Sequence, residues 1–348
     1  MKKFHRRKWV RITAAFLVLT MLVTYWAGTA TSIKISAEET NEAMKYLAEN
    51  TEYINKKRSE RTWNLIQTLK GTDDLNECYL TASIYIGSAR YEEALIYIDK
   101  CLRICPKDER EDFYAELLTK KGCLLTLLGR NDEAVKALDS VIECKPDSSD
   151  AYMVLIQIYY TANDMENLEK TLAAYLEIVP ENTDMRATYI QVLMSNGNTK
   201  EAEAQCGLLT EYDKDGTYKN DAEHTLALIA LGREDFTGAM KHLTKMTDYE
   251  EAYPDVAYDK GVCHMAGGDY DKAVEEFLRS INIGYMKQYC YYSKAVCEFS
   301  LEEPDYEGTF NDLKVAIEYD EEDRNEETAQ MATELINQLF EIKEAKNE

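Results

Sequence analysis

One position recurs along this chain at a near-constant step. Ala94, Ala134, Leu168, Ala202, Ala239 and Ala273 stand 40, 34, 34, 37 and 34 residues apart. Prolines echo the step twelve positions later, at Pro106, Pro146 and Pro180. A period of this size constrains the fold more than local propensity does. Each period is one supersecondary unit that cannot bury its own apolar face and must stack on its copies. Only five prolines and 15 glycines occur in 348 residues, so the units are helical. No Ser- or Gly-rich linker divides them.

Within the period the side chains repeat a pattern. The copy at 254–287 carries Gly261, Gly268, Tyr270, Ala273 and Phe277, and that at 149–182 carries Tyr152, Leu155, Tyr159 and Pro180. The copy at 115–148 carries Gly122, Gly129, Ala134 and Pro146, and that at 75–108 carries Tyr85, Tyr91, Ala94 and Pro106. Weaker copies start near 183, 220 and 288. The last has Thr309 in the alanine position and Pro304 in its turn. The pattern resembles the tetratricopeptide repeat family, two antiparallel helices per 34 residues. The resemblance implies an all-α, right-handed α-solenoid of about seven helix-turn-helix repeats over 75–320. Small residues such as Gly122, Ala202, Gly261 and Ala273 let paired helices approach, and Tyr85, Tyr159, Leu193 and Phe277 fill the layer between them. Prolines stop second helices, and Gly129, Gly197 and Gly268 suit left-handed helix ends. The stretch AGGDYDKAVEEF at 266–277 is therefore expected to join two helices, with Asp269 capping the second. No lysine, serine or threonine follows its glycines at phosphate-loop spacing. Flanking helices are expected at 38–74. Met331, Leu335, Ile336, Leu339 and Phe340 form an apolar stripe in 321–348, expected to be a capping helix.

The first 37 residues form a separate device. Six positive charges in MKKFHRRKWVR precede an uncharged run from Ile12 to Ile33. That is the layout of a secretory signal, with cleavage after Ala30 or Ala37. The run would also span roughly 33 Å as a helix, so the alternative is that residues 12–33 stay as an anchor in the cytoplasmic membrane. Either way the basic start stays inside and the remainder is exported. Localisation is thus expected to be extracytoplasmic, secreted or membrane-anchored. The remainder holds 33 basic and 64 acidic residues, a net of −31. Such a body repels nucleic acid and anionic lipid.

Little in the sequence suggests catalysis. Nine cysteines form no C-x-x-C and read as small buried hydrophobes. Even in an exported chain they imply no disulfide framework. His224, His242 and His264 have no second histidine at helical spacing, so no metal site is expected. Asp213, Asp215 and Gly216 mimic part of a calcium loop. Its twelfth position is Ala222, with Glu223 one step late, so a longer turn between repeats is expected. No cofactor and no enzymatic activity are expected.

Function is then expected on the inner groove, which in the family is lined by repeat positions 2, 5, 9 and 12. Those positions supply Tyr79, Met153, Gln157, Tyr160, Gln191, Met194, Tyr258, Val262, Met265, Tyr292 and Phe299. Position 2 adds a row of Asp150, Asp184, Asp221 and Asp255. Positions 5 and 9 lack the Lys, Arg and Asn of relatives that clamp C-terminal carboxylates. The expected partner is a protein or peptide segment with apolar or aromatic anchors and some positive charge. The alternative is a self-assembling structural subunit of a membrane-bound envelope complex.

Overall fold

Fifteen helices and no strand make up the described residues, 73–247, 251–319 and 321–347 of a computed structural model. The expected signal or anchor, and the flanking helices up to position 72, lie outside the described residues. The first repeat pairs α1 (Leu75–Gly87) with α2 (Tyr91–Ile104), and the second α3 (Glu111–Leu127) with α4 (Asn131–Cys144). Repeats three and four are α5 (Ser149–Ala162) with α6 (Met165–Ile178), and α7 (Thr183–Ser195) with α8 (Thr199–Tyr212). Repeat five is α9 (Lys219–Gly232) with α10 (Phe236–Leu243), and repeat six α11 (Val256–Ala266) with α12 (Tyr270–Ile283). Repeat seven is α13 (Lys287–Phe299) with α14 (Tyr306–Ile317), and α15 (Glu326–Asn347) follows.

Each helix packs on the next. Beyond these consecutive pairs, the stronger packings join α3 to α5 and α13 to α15. The first helices of repeats two and three thus meet, and α15 takes against α13 the place that a first helix of an eighth repeat would hold. Its Ala332 and Leu339 join Ala295, Leu313 and Ala316 in one core, so it covers the open face of repeat seven. Phe340 sits at the rim, 47% exposed, its ring edge-on to Phe310 at 5.2 Å. Gln288 ties the two together: its Nε2 donates to Ala316 O and Asn325 O, and Asn325 N donates to its Oε1 at 2.6 Å.

The recurring position is what the period requires. Ala94, Ala134, Leu168, Ala202, Ala239, Ala273 and Thr309 are all at 0% exposure. Thr309 keeps its hydroxyl bonded by donating to Asp305 O at 2.7 Å. Four residues further along each second helix a second buried side chain faces the first helix, and the two sides trade volume. Phe277 lies over Gly261, where an added Cβ would stand 2.7 Å from its ring. Leu138 lies over Gly122 at the same 2.7 Å. Repeats five and seven pair Leu243 with Ala227 and Leu313 with Ala295. Repeat four inverts the sizes, with Cys206 against Ile190. Repeat three departs from this trade, with Ile156 and Leu172 both large and buried, so complementary sizes hold the stacking distance in the other repeats while the residues change.

The turns inside repeats share a further rule. Two residues before each of the first six second helices stands a left-handed residue: Ala89, Gly129, Asn163, Gly197, Glu234 and Gly268, with φ from 54° to 79°. Proline cannot adopt positive φ. Repeat seven has Pro304 there, and its connection runs from Ser300 to Asp305 where the others need two or three residues. Asp164, Asp235 and Asp305 then cap α6, α10 and α14 by accepting from the N–H three residues on. Asp269 holds the same place before α12, but its carboxylate turns to Lys272 Nζ at 2.6 Å and makes no side-chain cap, a correction to the expectation. At the far end, Pro106, Pro146 and Pro180 each stand two residues past a second helix. Because Ala89 and Glu234 pay for a left-handed backbone that glycine adopts without strain, Ala89→Gly and Glu234→Gly should each raise stability by about 0.5–1 kcal/mol. Urea denaturation followed by circular dichroism measures this, and a loss at both positions would refute the turn rule.

α10 is the shortest helix, eight residues against fourteen for most second helices. Thr244 Oγ1 bonds back to Met240 O at 2.9 Å. The chain then runs to α11 as a long connection. It is pinned by Asn220, whose Nδ2 donates to Thr247 O at 2.7 Å, and by buried Met246. This connection delivers Tyr253 and Asp255 beside α9.

Candidate functional site

The eleven expected wall residues all fall on first helices: Tyr79 on α1, Met153, Gln157 and Tyr160 on α5, and Gln191 and Met194 on α7. Tyr258, Val262 and Met265 lie on α11, and Tyr292 and Phe299 on α13. Gln191 is exposed and the other ten are half-buried. Intervening residues on the same helices, such as Leu155, Ile156, Leu193, Gly261, Cys263 and Ala295, are buried. A helix repeats its face every three to four residues, so one stripe enters the core and the adjoining stripe stays at the surface.

Several wall side chains also pack. Met153, Tyr160 and Met194 rest on the core of repeats three and four. Tyr258 is the centre of a ring cluster, 6.1 Å from Phe277, 6.1 Å from Tyr285 and 5.8 Å from Tyr289, which in turn lies 6.1 Å from Tyr292. Burial, with Tyr289 next to it, pushes the Tyr258 hydroxyl well above the usual range. Tyr79 donates its hydroxyl to Glu116 at 2.8 Å, and its ring packs tilted against Phe113 with centroids 5.3 Å apart.

The aspartate row is partly engaged between repeats. Asp184 accepts from the Tyr218 hydroxyl, and Asp221 from the Tyr253 hydroxyl at 2.7 Å. Asp255 Oδ2 lies 3.1 Å from His224 Nε2. Each contact joins one repeat to the next. The 211–223 segment is likewise structural. Asp213 accepts from Tyr218 N at 2.8 Å, and Asp215 accepts from the Thr217 hydroxyl at 2.8 Å. Both carboxylates thereby organise the turn into α9.

Histidines meet carboxylates in ways that local sequence spacing hides. His242 Nδ1 lies 2.6 Å from Glu223, which also takes Lys245 Nζ at 2.8 Å. Burial opposes the Glu223 charge, but the bonds from Lys245 and His242 outweigh it and hold the carboxyl below its usual range. His224 faces Asp255 and Asp259, and a ligating atom from each of the three lies within 4.8 Å of the others. Asp259 is 8% exposed, and its Oδ2 has no hydrogen-bond partner. Burial pushes its carboxyl up to about 7, neighbouring Asp255 adds to this, and His224 opposes it. The sequence reading missed this group because His224 lies 31 residues from Asp255, on another repeat. The only signal was Asp255 and Asp259 at i, i+4, one of many such pairs.

The cysteines are mostly core. Seven of nine are buried, and no disulfide joins any of them. Burial pushes the Cys101, Cys206 and Cys297 thiols up to about 12, where they are poor nucleophiles at neutral pH. Arg186, 2% exposed, donates to Gln205 Oε1 and Pro180 O and lies 5.2 Å over the Tyr212 ring, stitching repeat four. No helix among the described residues is long and apolar enough to cross a membrane.

Comparison with known proteins bears on this repeat architecture. Residues 78–108, 120–183 and 230–283 each match the tetratricopeptide repeat. A TPR repeat-containing protein of Methanocaldococcus jannaschii is 24% identical over 252 residues, covering 71% of this chain and 37% of its own. Intraflagellar transport protein 70A of Danio rerio is 28% identical over 181 residues, 50% of this chain and 26% of its own. The chain thus spans under two fifths of the length of these curated relatives. Among solved structures, the MamA protein covers 51% of this chain and 97% of its own at 17% identity and a TM-score of 0.42. YrrB, described as a TPR protein with an unusual peptide-binding site, covers 57% and 94% at 18% identity and a TM-score of 0.39. Three stretches of the chain thus match the tetratricopeptide repeat, and the seven buried positions in phase show that the described array is a solenoid of such repeats.

Proposed function

We propose that the array is a non-catalytic, extracytoplasmic scaffold that holds a protein or peptide segment along the wall of first helices. The observation that carries this reading is the retained exposure of the wall. On α1, α5, α7, α11 and α13, apolar and aromatic side chains at positions 5, 9 and 12 keep part of their surface exposed while residues between them are core. A row of half-buried aromatics on a rigid support is the kind of surface that anchors an extended or amphipathic segment. The acidic balance of the chain favours a segment bearing Lys or Arg. Export rests on the basic, apolar layout of residues 1–37, which lie outside the described residues.

Panning a random peptide library against the chain tests the reading. The expected selection is aromatic or aliphatic peptides carrying basic residues. Tyr160→Ala with Gln191→Ala, away from the Tyr258 ring cluster, should weaken the selected peptides at least about tenfold. Selection of acidic peptides, or binding indifferent to both substitutions, would overturn it. A second reading is self-assembly, favoured by exposed Ile96, Leu278 and Val315 on second helices. Light scattering that shows the monomer mass at all concentrations removes it.

A further inference from the structure

The geometry points to a divalent-cation site between repeats five and six, formed by His224 of α9, Asp255 at the start of α11, and Asp259 one turn into α11. Three observations converge there. One imidazole nitrogen and two carboxylates offer ligating atoms all within 4.8 Å of one another. Ligands around a bound zinc stand roughly 3–4 Å apart, so small side-chain rotations close the set. Asp259 is 8% exposed, and its Oδ2, one of the buried oxygens of the group, has no hydrogen-bond partner. A buried carboxylate oxygen is costly to leave unpaired, and a cation between the three groups would supply its partner. The nearby His242–Glu223 pair shows the contrast, because there Lys245 supplies the positive charge at 2.8 Å.

The backbone presents the three groups from firm positions. Asp255 and Asp259 are joined by the helical bond from Asp259 N to Asp255 O at 2.9 Å, so their side chains share one face. His224 is held beside them by the Tyr253 ring at 4.8 Å, and Tyr253 is fixed by its hydroxyl on Asp221 at 2.7 Å. Nitrogen and carboxylate oxygen suit zinc or manganese. Three protein ligands leave a further position for water on the solvent side, where the His224 and Asp255 side chains are 14% and 26% exposed. A bound cation would cross-link α9 to α11 and set the angle between two repeats of the wall.

The test uses the full-length, tag-free chain in detergent, stripped with a chelator and titrated with zinc and with cobalt. The expected result is one equivalent bound, a higher melting temperature with zinc, and a cobalt d–d spectrum without a thiolate charge-transfer band. Asp259→Asn and His224→Ala, each checked for native circular dichroism, should weaken binding at least about tenfold. Glu223→Gln, in the neighbouring pair, should leave it unchanged. Binding only at millimolar zinc, unchanged binding in Asp259→Asn, or a thiolate signature from Cys263 would each overturn the assignment. Should His224→Ala fail to fold, the Asp259→Asn titration decides alone.

Discussion

Phe277→Ala destabilises the array by about 3–5 kcal/mol, among the largest effects available to a single substitution here. Phe277 is at 0% exposure and belongs to the core shared by repeats six and seven, with Ala273, Cys290 and Cys297. Truncation leaves a ring-sized void beside Gly261, which has no side chain to move into it. The converse change has the same cause. Gly261→Ala places a methyl 2.7 Å from the Phe277 ring and costs about 1–3 kcal/mol, although alanine is the better helix former by about 1 kcal/mol. Combining Gly261→Ala with Phe277→Leu recreates the alanine–leucine pairing of repeats five and seven and should recover much of the loss. Urea denaturation read by far-ultraviolet circular dichroism is the measurement. Because each repeat touches only its neighbours, the lost signal should appear as early unfolding of part of the array. A double variant no more stable than Gly261→Ala alone would refute the volume-trading account.

Asp259→Asn is expected to stabilise the metal-free protein, which is unusual for a change at a buried polar residue. The folded carboxyl titrates at about 7 against about 3.9 in an unfolded chain. Between these values the folded state binds more protons than the unfolded one, so wild-type stability falls as pH rises from about 4 to about 7 and is level above. The groups facing it are Asp255, Tyr258 and Cys263 on its own helix, His224 on α9 and Tyr285 beyond α12. Asparagine removes the buried charge, so the variant should gain on the order of 4 kcal/mol at pH 7.5 and converge with wild type near pH 4. Urea midpoints at the two pH values, in chelator, measure this. Equal midpoints at pH 7.5 would show that Asp259 is not a buried charge. In excess zinc the gap should narrow by at least about 1.4 kcal/mol, because wild type binds the cation more tightly than the variant.

The array was readable in the sequence because its signal is local and repeated. The interval from Ala94 to Ala273 gave helix number, pairing and phase, since every copy needs a shielded residue where its helices cross. Pro304 announced the irregular seventh turn for a similar reason: a fixed backbone angle cannot occupy a left-handed position. The left-handed residues at Ala89 and Glu234 were not readable, because neither residue type advertises positive φ. Nor was the shortened α10, whose fourteen-residue siblings set the expectation.

What the amino-acid sequence determined alone is the architecture: helices paired at a period near 34, capped at one end, with an apolar and aromatic stripe on first helices. Periodicity suffices for this because each unit repeats the same burial problem. What only the tertiary structure decided is which side chains from different repeats meet. His224, Asp255 and Asp259 converge, Tyr218 and Tyr253 take up two aspartates of the expected acidic row, and Gly261 has room for nothing but Phe277. Such contacts depend on the stacking offset between neighbouring repeats. That offset is set by volumes summed across whole interfaces, which no local stretch of chain records.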